Sequence, residues 1–268
     1  MHRTQPFKGP IKLSGFNNLT KSLTFNLYDF CVARNEFERE AYVKYIEKRF
    51  CADKITQLLK GICNIIEAKV LAVSDQAYEP WGASSMVLMS DLKGNGLEDA
   101  EPEEKVAQKA PQGASMHLDK SHICAHTYPD FRASGKVCSF RIDIEISTCG
   151  EISPLRALNY MFEAFDSDVV VMDYVVRGYT RDTEGKRVFM DHEIDSIQDY
   201  IKPEILKDYH CVDLALHSDN IWQTKMLRTN LDEQSYFLDP VDVDDEETKT
   251  YLDFVKKEMR GLLYMWPE

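Results

Sequence analysis

A short stretch in the middle of the chain brings together residue types that can do chemistry. Ser121 opens it, and two histidines and a cysteine follow before residue 127. A serine hydroxyl can act as a nucleophile, and an imidazole can act as a base near neutral pH. In a strand, the alternating pattern would place Ile123 and Ala125 on one face and the histidines and the cysteine on the other. The structural alternative is a half-buried strand whose polar face has no catalytic role.

Histidines and cysteines in this stretch and elsewhere in the chain also allow two other kinds of site, a zinc site and the active site of a thiol hydrolase. Zinc could be bound by histidines and cysteines, but the sequence contains neither a C-x-x-C pair nor a close His/Cys pair. Cys149 and His126 could instead form the nucleophile and base of a thiol hydrolase, although a lone cysteine and a lone histidine are common in proteins. A non-catalytic interaction protein is a third alternative. The candidate zinc ligands are His117, His122, Cys124, His126, Cys138 and Cys149.

Several separated motifs resemble those of the S-adenosylmethionine decarboxylase family, and they occur in the family's order. The central one reads KSHI followed by HTYP, and STCG lies further along the chain. Motifs that occur in the family's order at separate places are a specific signal. The resemblance covers the chain from about residue 20 to about residue 265. The motifs at residues 153–160 and 177–182 are similar to those of the longer, enterobacterial-type branch of the family. The motifs cover residues 78–84, 120–123, 126–129, 147–150, 153–160 and 177–182.

The resemblance implies that the chain cuts itself between Lys120 and Ser121 into a beta and an alpha chain. The Ser121 oxygen would attack the carbonyl of Lys120 and convert the peptide bond into an ester, provided that the backbone holds the two atoms close. His126 would then remove the Ser121 α-proton, so that the ester is expelled by β-elimination. Release of ammonia by water leaves a pyruvoyl group. Ser84 matches a hydroxyl that assists this processing.

The activity that the resemblance implies is decarboxylation of S-adenosylmethionine, which provides the aminopropyl donor for spermidine. The pyruvoyl group forms a Schiff base with the substrate amine and accepts electrons as CO2 leaves. Cys149 would be the acid that reprotonates the substrate carbon. Tyr78 matches a position that stacks on adenine, Ile123 a position beside the purine, and Asp130 an acidic position, usually glutamate, that binds the ribose hydroxyls. The family also implies a homo-oligomer and stimulation by magnesium, and it leaves the metal ligands open.

Composition excludes several other classes of protein. The net charge is −13, the isoelectric point is near 5.0, and no lysine- or arginine-rich run is present, which argues against nucleic-acid binding. The seven cysteines have no framework spacing and indicate reduced thiols in the cytoplasm. The first residues lack the apolar core of a signal peptide, and no apolar run is long enough to span a bilayer. Buried, inert cysteines are expected at Cys31, Cys51, Cys63 and Cys211.

The elements expected to position these residues alternate between strands and helices. This pattern predicts the α+β class, as a layered α/β sandwich with helices on one face of a mainly antiparallel sheet. The clearest strand is 140–147, with Cys149 just beyond its end. Strands are predicted at 22–30, 69–75, 84–90, 140–147, 168–178 and 211–216, and helices at 36–50, 55–66, 154–165, 192–201 and 246–264.

The chain is predicted to consist of an N-terminal arm at 1–20, a catalytic α/β domain at 21–182 and a C-terminal extension at 183–268. Residues 91–115 are polar and contain almost no large apolar side chain. They cannot bury enough surface to offset the entropy of ordering, so an exposed insertion is predicted there. Its G-x-G lacks a third glycine and a strand–helix setting, which argues against a dinucleotide site.

Overall fold

The computed structural model describes residues 13–91, 121–131 and 136–265. Among them, the helices and strands alternate along the chain in a pattern close to the predicted one. The strands are β1 (Leu13–Asn17), β2 (Thr20–Val32), β3 (Ala68–Ala77), β4 (Ala83–Asp91), β5 (Ser121–Asp130), β6 (Val137–Cys149), β7 (Val169–Arg177), β8 (Thr180–Asp182), β9 (Arg187–Val188), β10 (Tyr209–Leu216) and β11 (Ile221–Arg228). The α-helices are α1 (Glu36–Arg49), α2 (Ala52–Ile65), α3 (Leu158–Ala164), α4 (Pro203–Leu206) and α5 (Glu246–Tyr264).

Eight strands form one large sheet in the order β10-β11-β7-β2-β6-β5-β4-β3. Every pair of neighbours in it runs antiparallel. The two longest strands, β2 and β6, have 13 residues each and lie side by side at its centre. A smaller sheet contains β1, β8 and β9. The large antiparallel sheet with its helices confirms the predicted α+β class.

The main core lies between this sheet and the first three helices. Leu23, Phe25 and Leu27 of β2 alternate toward it and are at most 2% exposed. Leu59 of α2 packs in the same core, and the ring of Phe162 on α3 meets Phe25 edge-on at 5.2 Å between centroids. Burying side chains of this size stabilises the fold by roughly 1.5–3 kcal/mol each. The alternation that predicted these strands therefore reflects a real buried face.

The last helix packs against the opposite face of the sheet, at one end only. Val255 and Met259 of α5 share a second core with Phe30 of β2 and Val169 of β7. Phe30 lies an odd number of residues from the main-core positions of β2, so its side chain points to the other face. The expected layer of helices on one face is thus present, and α5 is an addition to it.

The rest of that opposite face carries polar side chains. On β5, Ile123 and Ala125 are fully buried toward the helices, as predicted. His126 points to the other face, where it lies directly beside Asp143 of β6. Of the described α-helices, α5 is the one in the core on this side, and the 3₁₀ turn Glu233–Tyr236 joins it there. We call the surface around His126 and Asp143 the open face.

Two local expectations are wrong. The helix predicted at 192–201 is only a single 3₁₀ turn, Ile197–Tyr200. Ser196 caps this turn, and Pro203 follows closely and disfavours helical backbone in the residue before it. Cys149, expected just beyond its strand, is instead the last residue of β6.

The described residues cover the predicted organisation only in part. The insertion at 91–115 lies outside them, apart from Asp91, as do residues 1–12 of the arm. Strands β10 and β11 extend the main sheet beyond β7, so the C-terminal extension shares that sheet with the catalytic domain. The domain boundaries themselves stay a prediction. Among the described helices, none is both long and apolar enough to cross a membrane.

A buried ion pair also ties residues 183–268 to the rest of the chain. The Nζ of Lys21 on β2 lies 2.6 Å from Asp191 Oδ2, and both side chains are less than a tenth exposed. Asp191 Oδ1 is 2.7 Å from His192 Nδ1, and His192 Nε2 is 3.1 Å from the Tyr174 hydroxyl. Burial alone would raise the pKa of Asp191, but the hydrogen bond with His192 and the charge of Lys21 lower it below its ordinary value.

Candidate active site

Ser121 and Cys149 meet at one end of the central strands. Ser121 is the first residue of β5 and is 7% exposed. The backbone N–H of Cys149 donates a hydrogen bond of 3.0 Å to Ser121 Oγ. The Cys149 side chain is exposed, with its sulfur 4.0 Å from the hydroxyl of Thr20 on the adjacent strand. The hydroxyl of Ser121 therefore lies beside the backbone of Cys149, and we call this pair of residues the serine–cysteine half-site.

Hydrogen bonds hold the residues on both sides of Cys149 at the end of β6. Thr148 is fully buried, and its hydroxyl is 3.0 Å from the carbonyl oxygen of Ile152. Gly150 donates its N–H to the carbonyl of Leu19 at 3.1 Å and has a φ of 74°, which a glycine adopts without strain. The glycine of the STCG motif thus turns the chain directly after the cysteine.

His126 belongs to a second cluster, further along β5. Its Nδ1 lies 3.0 Å from the Tyr78 hydroxyl. The strand register places it between Ser84 of β4 and Asp143 of β6. The ring of Tyr128 lies nearly parallel to the imidazole, with 6.4 Å between centroids. We call Tyr78, Ser84 and His126 the histidine half-site.

The loop between β3 and β4 is shaped to hold Tyr78 against His126. The Tyr78 N–H donates to the carbonyl of Gly82 at 2.8 Å, and Gly82 has a φ of 103°. A Cβ at Gly82 would lie 2.8 Å from the Thr127 carbonyl oxygen and 3.3 Å from the Tyr78 ring, so a larger residue would displace both. The Thr127 hydroxyl accepts a hydrogen bond of 2.7 Å from the Ala83 N–H and fixes the far end of the loop.

Within one chain, β5 keeps Ser121 and His126 apart. Five residues of strand span about 17 Å, and an odd separation turns the two side chains to opposite faces. Their burial agrees, because Ser121 is buried in the described structure and His126 is only half-buried. His126 therefore cannot reach the Ser121 of its own chain without disrupting the strand. Sequence reasoning missed this separation, although odd spacing within a predicted strand was a usable signal.

The remaining predicted site residues are scattered. Ile123 is fully buried in the main core, on the opposite side of β5 from His126. Asp130 is the last residue of β5 and pairs with Ser139 of β6. Lys120 lies outside the described residues. The substrate contacts expected of Ile123 and Asp130 stay predictions.

All seven cysteines are free, and their environments differ. Burial raises the pKa of Cys31 to about 12 and that of Cys63 to about 11. Cys211 is half-buried, which raises its pKa to about 11. These three fit the expected inert role, but the expectation for Cys51 is wrong because this residue precedes α2 and is exposed. Cys149 is the other exposed thiol.

The geometry favours neither of the metal and hydrolase alternatives. Among the described residues, no group of three or more His, Cys, Asp or Glu side chains could hold a metal ion. Cys138 is buried in the helix-side core, away from His126, and His117 is outside the described residues. Asp143, beside His126, precedes Cys149 by six strand residues, or about 20 Å. One chain therefore contains no Cys149–His126 pair.

Comparison with known proteins gives a consistent picture over nearly the whole chain. A family model described as S-adenosylmethionine decarboxylase matches residues 47–178. A protein of Chromohalobacter salexigens named S-adenosylmethionine decarboxylase proenzyme is 44% identical over 258 residues, which cover 95% of this chain and 97% of that protein. A protein of the same name from Halorhodospira halophila is 45% identical over 251 residues, covering 93% of this chain and 92% of that protein.

A solved structure bears a much weaker likeness. The adenosylmethionine decarboxylase of Aquifex aeolicus is 15% identical, with a TM-score of 0.32, and the match covers 67% of this chain and all of that one. The assignment therefore depends on the sequence relatives, whose identity and coverage are high. On that basis, the chain belongs to the S-adenosylmethionine decarboxylase family.

Proposed function

We propose that the chain is a pyruvoyl-dependent S-adenosylmethionine decarboxylase that becomes active by cutting itself before Ser121. The observation that carries this proposal is the 3.0 Å hydrogen bond from the Cys149 N–H to Ser121 Oγ, because it joins the residue that is cut to the residue that would supply the proton. Family membership supports S-adenosylmethionine as the substrate and spermidine synthesis as the pathway. The seven free cysteines support a cytoplasmic location.

The surroundings of Ser121 suit self-cleavage better than hydrolysis. The Cys149 N–H occupies one lone pair of Ser121 Oγ and leaves the hydroxyl proton free to be transferred during attack on the Lys120 carbonyl. When the ester is expelled, the same N–H can stabilise the negative charge that this oxygen acquires in the new carboxylate. Because Ser121 is only 7% exposed, water has little access to the ester, which favours elimination.

The same residues fit the pyruvoyl group that the family implies. Cleavage would place it at the start of β5, beside the backbone of Cys149, with the Cα of residue 121 as its keto carbon. The Ser121 oxygen would leave with the Lys120 carboxylate, and the keto oxygen would come from water. When present, the group supplies the electron sink that decarboxylation needs. The exposed thiol of Cys149 can then deliver a proton to the substrate carbon. Among the described residues, no group of three or more His, Cys, Asp or Glu side chains is placed to hold the magnesium that the resemblance implies, so its ligands stay open.

We further propose a homo-oligomer in which two copies complete each site. Each site would combine the serine–cysteine half-site of one copy with the histidine half-site of the other. The strand geometry supports this arrangement, because β5 separates Ser121 from His126 by about 17 Å within a chain. The open face, which no described helix covers around His126, gives the second copy a surface to approach. Tyr78 and Asp130 would then contribute to substrate binding from the same copy as His126.

The proposal is tested on the purified wild-type protein. Intact-mass measurement should find two chains, residues 1–120 and 121–268, with the second beginning in a blocked pyruvoyl terminus. Release of labelled CO2 from carboxyl-labelled S-adenosylmethionine should accompany this cleavage. A protein that stays in one piece and releases no CO2 would refute the proposed function.

Replacing Cys149 by alanine should impair turnover much more than self-cleavage. The hydrogen bond to Ser121 comes from the backbone of residue 149, so the variant keeps it and should still separate into two chains. A positioned proton donor typically contributes about 10²–10⁴-fold, and the turnover number should fall by that amount. Steady-state CO2 release together with chain separation on denaturing gels would measure both effects.

Cys124→Ala is the matched control for this experiment. Cys124 lies on β5. Its burial, and to a lesser extent the negative charge of the nearby Glu145, raises the pKa of its thiol to about 11. Its removal should leave turnover within about twofold of wild type, in line with a thiol that has no role in proton transfer. Full activity of the Cys149→Ala protein would remove Cys149 from the mechanism.

A further inference from the structure

The hydroxyl of Tyr78 makes a contact that stacking on a substrate ring would not require. It lies 3.0 Å from Nδ1 of His126, and the Tyr78 backbone is itself held by the Gly82 carbonyl at 2.8 Å. The glycine is needed there, because a Cβ would approach both the Thr127 carbonyl and the Tyr78 ring. The loop therefore holds the phenol against one particular nitrogen of the imidazole.

This contact limits what His126 can do as a base. A neutral imidazole has one protonated nitrogen and one free lone pair. Nδ1 faces the phenol, so the nitrogen left to accept a proton from another group is Nε2. Nε2 has a free lone pair only when the proton sits on Nδ1, and that proton can then be donated to the Tyr78 oxygen.

The other groups around His126 do not replace this contact. Asp143 lies beside it in the strand register, but its carboxylate is engaged in an ion pair with Arg141. Tyr128 offers its ring at 6.4 Å between centroids, and the cation of Arg141 lies over that ring at 5.1 Å. Of the described residues around His126, which include Ser84 on β4, Tyr78 is the one whose hydroxyl forms a hydrogen bond with the imidazole.

We propose that Tyr78 is a positioning residue for self-cleavage, whose hydroxyl accepts a hydrogen bond from Nδ1–H of His126 and so leaves Nε2 to take the α-proton of Ser121 in the other copy. This inference rests on the proposed function. It is separate from the adenine contact expected of the Tyr78 ring, because a phenylalanine ring could stack equally well.

The test is Tyr78→Phe, which keeps the ring and removes the hydroxyl. The full-length chain is made by cell-free translation, and samples taken over time are treated with hydroxylamine, which cuts the ester but not the amide. Loss of one neutral hydrogen bond should slow chain separation by about five- to tenfold. Because the acyl shift does not use His126 as the α-proton base, the hydroxylamine-sensitive fraction should rise as separation slows.

Tyr128→Phe is the matched control, since it removes a phenol hydroxyl from the other ring beside His126. It should separate at the wild-type rate with no added ester. A Tyr78→Phe chain that separates at the wild-type rate would overturn the proposal, and so would slow separation without ester, which indicates a general folding defect. Failure of the wild-type chain to cut before Ser121 would instead count against the proposed function.

A second readout does not depend on activity. In a Ser121→Ala background with ¹⁵N-labelled histidine, the two-bond proton–nitrogen spectrum reports the tautomer of each imidazole. The His126 signal, identified by its loss on His126→Gln, should show protonated Nδ1 with Tyr78 present and a mixture of tautomers with phenylalanine. An Nε2-protonated His126 in the presence of Tyr78 would contradict the inference.

Discussion

Ser121→Ala should leave the protein as a single uncut chain of 31.0 kDa without decarboxylase activity. In the proposed mechanism, the hydroxyl attacks the Lys120 carbonyl, and residue 121 is also the source of the pyruvoyl carbons. Alanine can supply neither the ester oxygen nor a leaving group for β-elimination. Intact-mass measurement should therefore show no cleavage, and CO2 release should be completely lost, because no partial route to the keto group remains.

This variant should nevertheless fold. In the wild type, the Ser121 hydroxyl accepts one hydrogen bond, from the Cys149 N–H. Losing a partner of that kind destabilises a protein by about 1–3 kcal/mol. Ser139→Ala, on the far end of β6 and half-buried, is the matched control and should be cut as fast as wild type. Cleavage of the Ser121→Ala chain at this site would point to a contaminating protease and would refute the mechanism.

His126→Ala should stop the processing one step later. The acyl shift can still form the ester, but removal of the α-proton should be about 10²–10⁴-fold slower without the imidazole. The chain should therefore accumulate in a form that hydroxylamine cuts between Lys120 and Ser121. An uncut chain that resists hydroxylamine would show that His126 acts before the ester forms or only structurally.

Mixed oligomers test where the base comes from. The His126→Ala chain retains a complete serine–cysteine half-site, and the Ser121→Ala chain retains a complete histidine half-site. Co-expressed with distinct tags, the two should form oligomers in which the His126→Ala chain is cut and the Ser121→Ala chain stays whole. Mixed oligomers that form but leave both chains whole would argue against a site shared between copies.

The parts of the fold that the sequence could predict are those with a repeating burial pattern. The alternation from Phe140 to Ile146 on β6 and from Ile123 to Ala125 on β5 corresponds to side chains that are fully or almost fully buried. The helix predicted at 192–201 is wrong because Ser196, inside that segment, caps a single 3₁₀ turn, and Pro203 follows closely. Alternation within a strand depends mainly on residues close together in the sequence, so these strands could be predicted from local patterns.

The site was less predictable, because it depends on contacts between distant parts of the chain. The motifs assigned roles to Ser121 and Cys149, but the hydrogen bond between them and the separation of Ser121 from His126 follow from the strand pairing and side-chain direction. The Tyr78–His126 hydrogen bond joins residues 48 positions apart. Nothing in the spacing of those residues indicates which imidazole nitrogen the phenol would meet, since that is set by the turn at Gly82.

The buried ion pair between Lys21 and Asp191 makes the contact between β2 and residues 183–268 sensitive to single substitutions. Replacing Asp191 alone would leave the buried ammonium of Lys21 without its counter-charge, which destabilises a fold by about 3–5 kcal/mol. We therefore expect relatives that lack one of these two residues to lack the other as well.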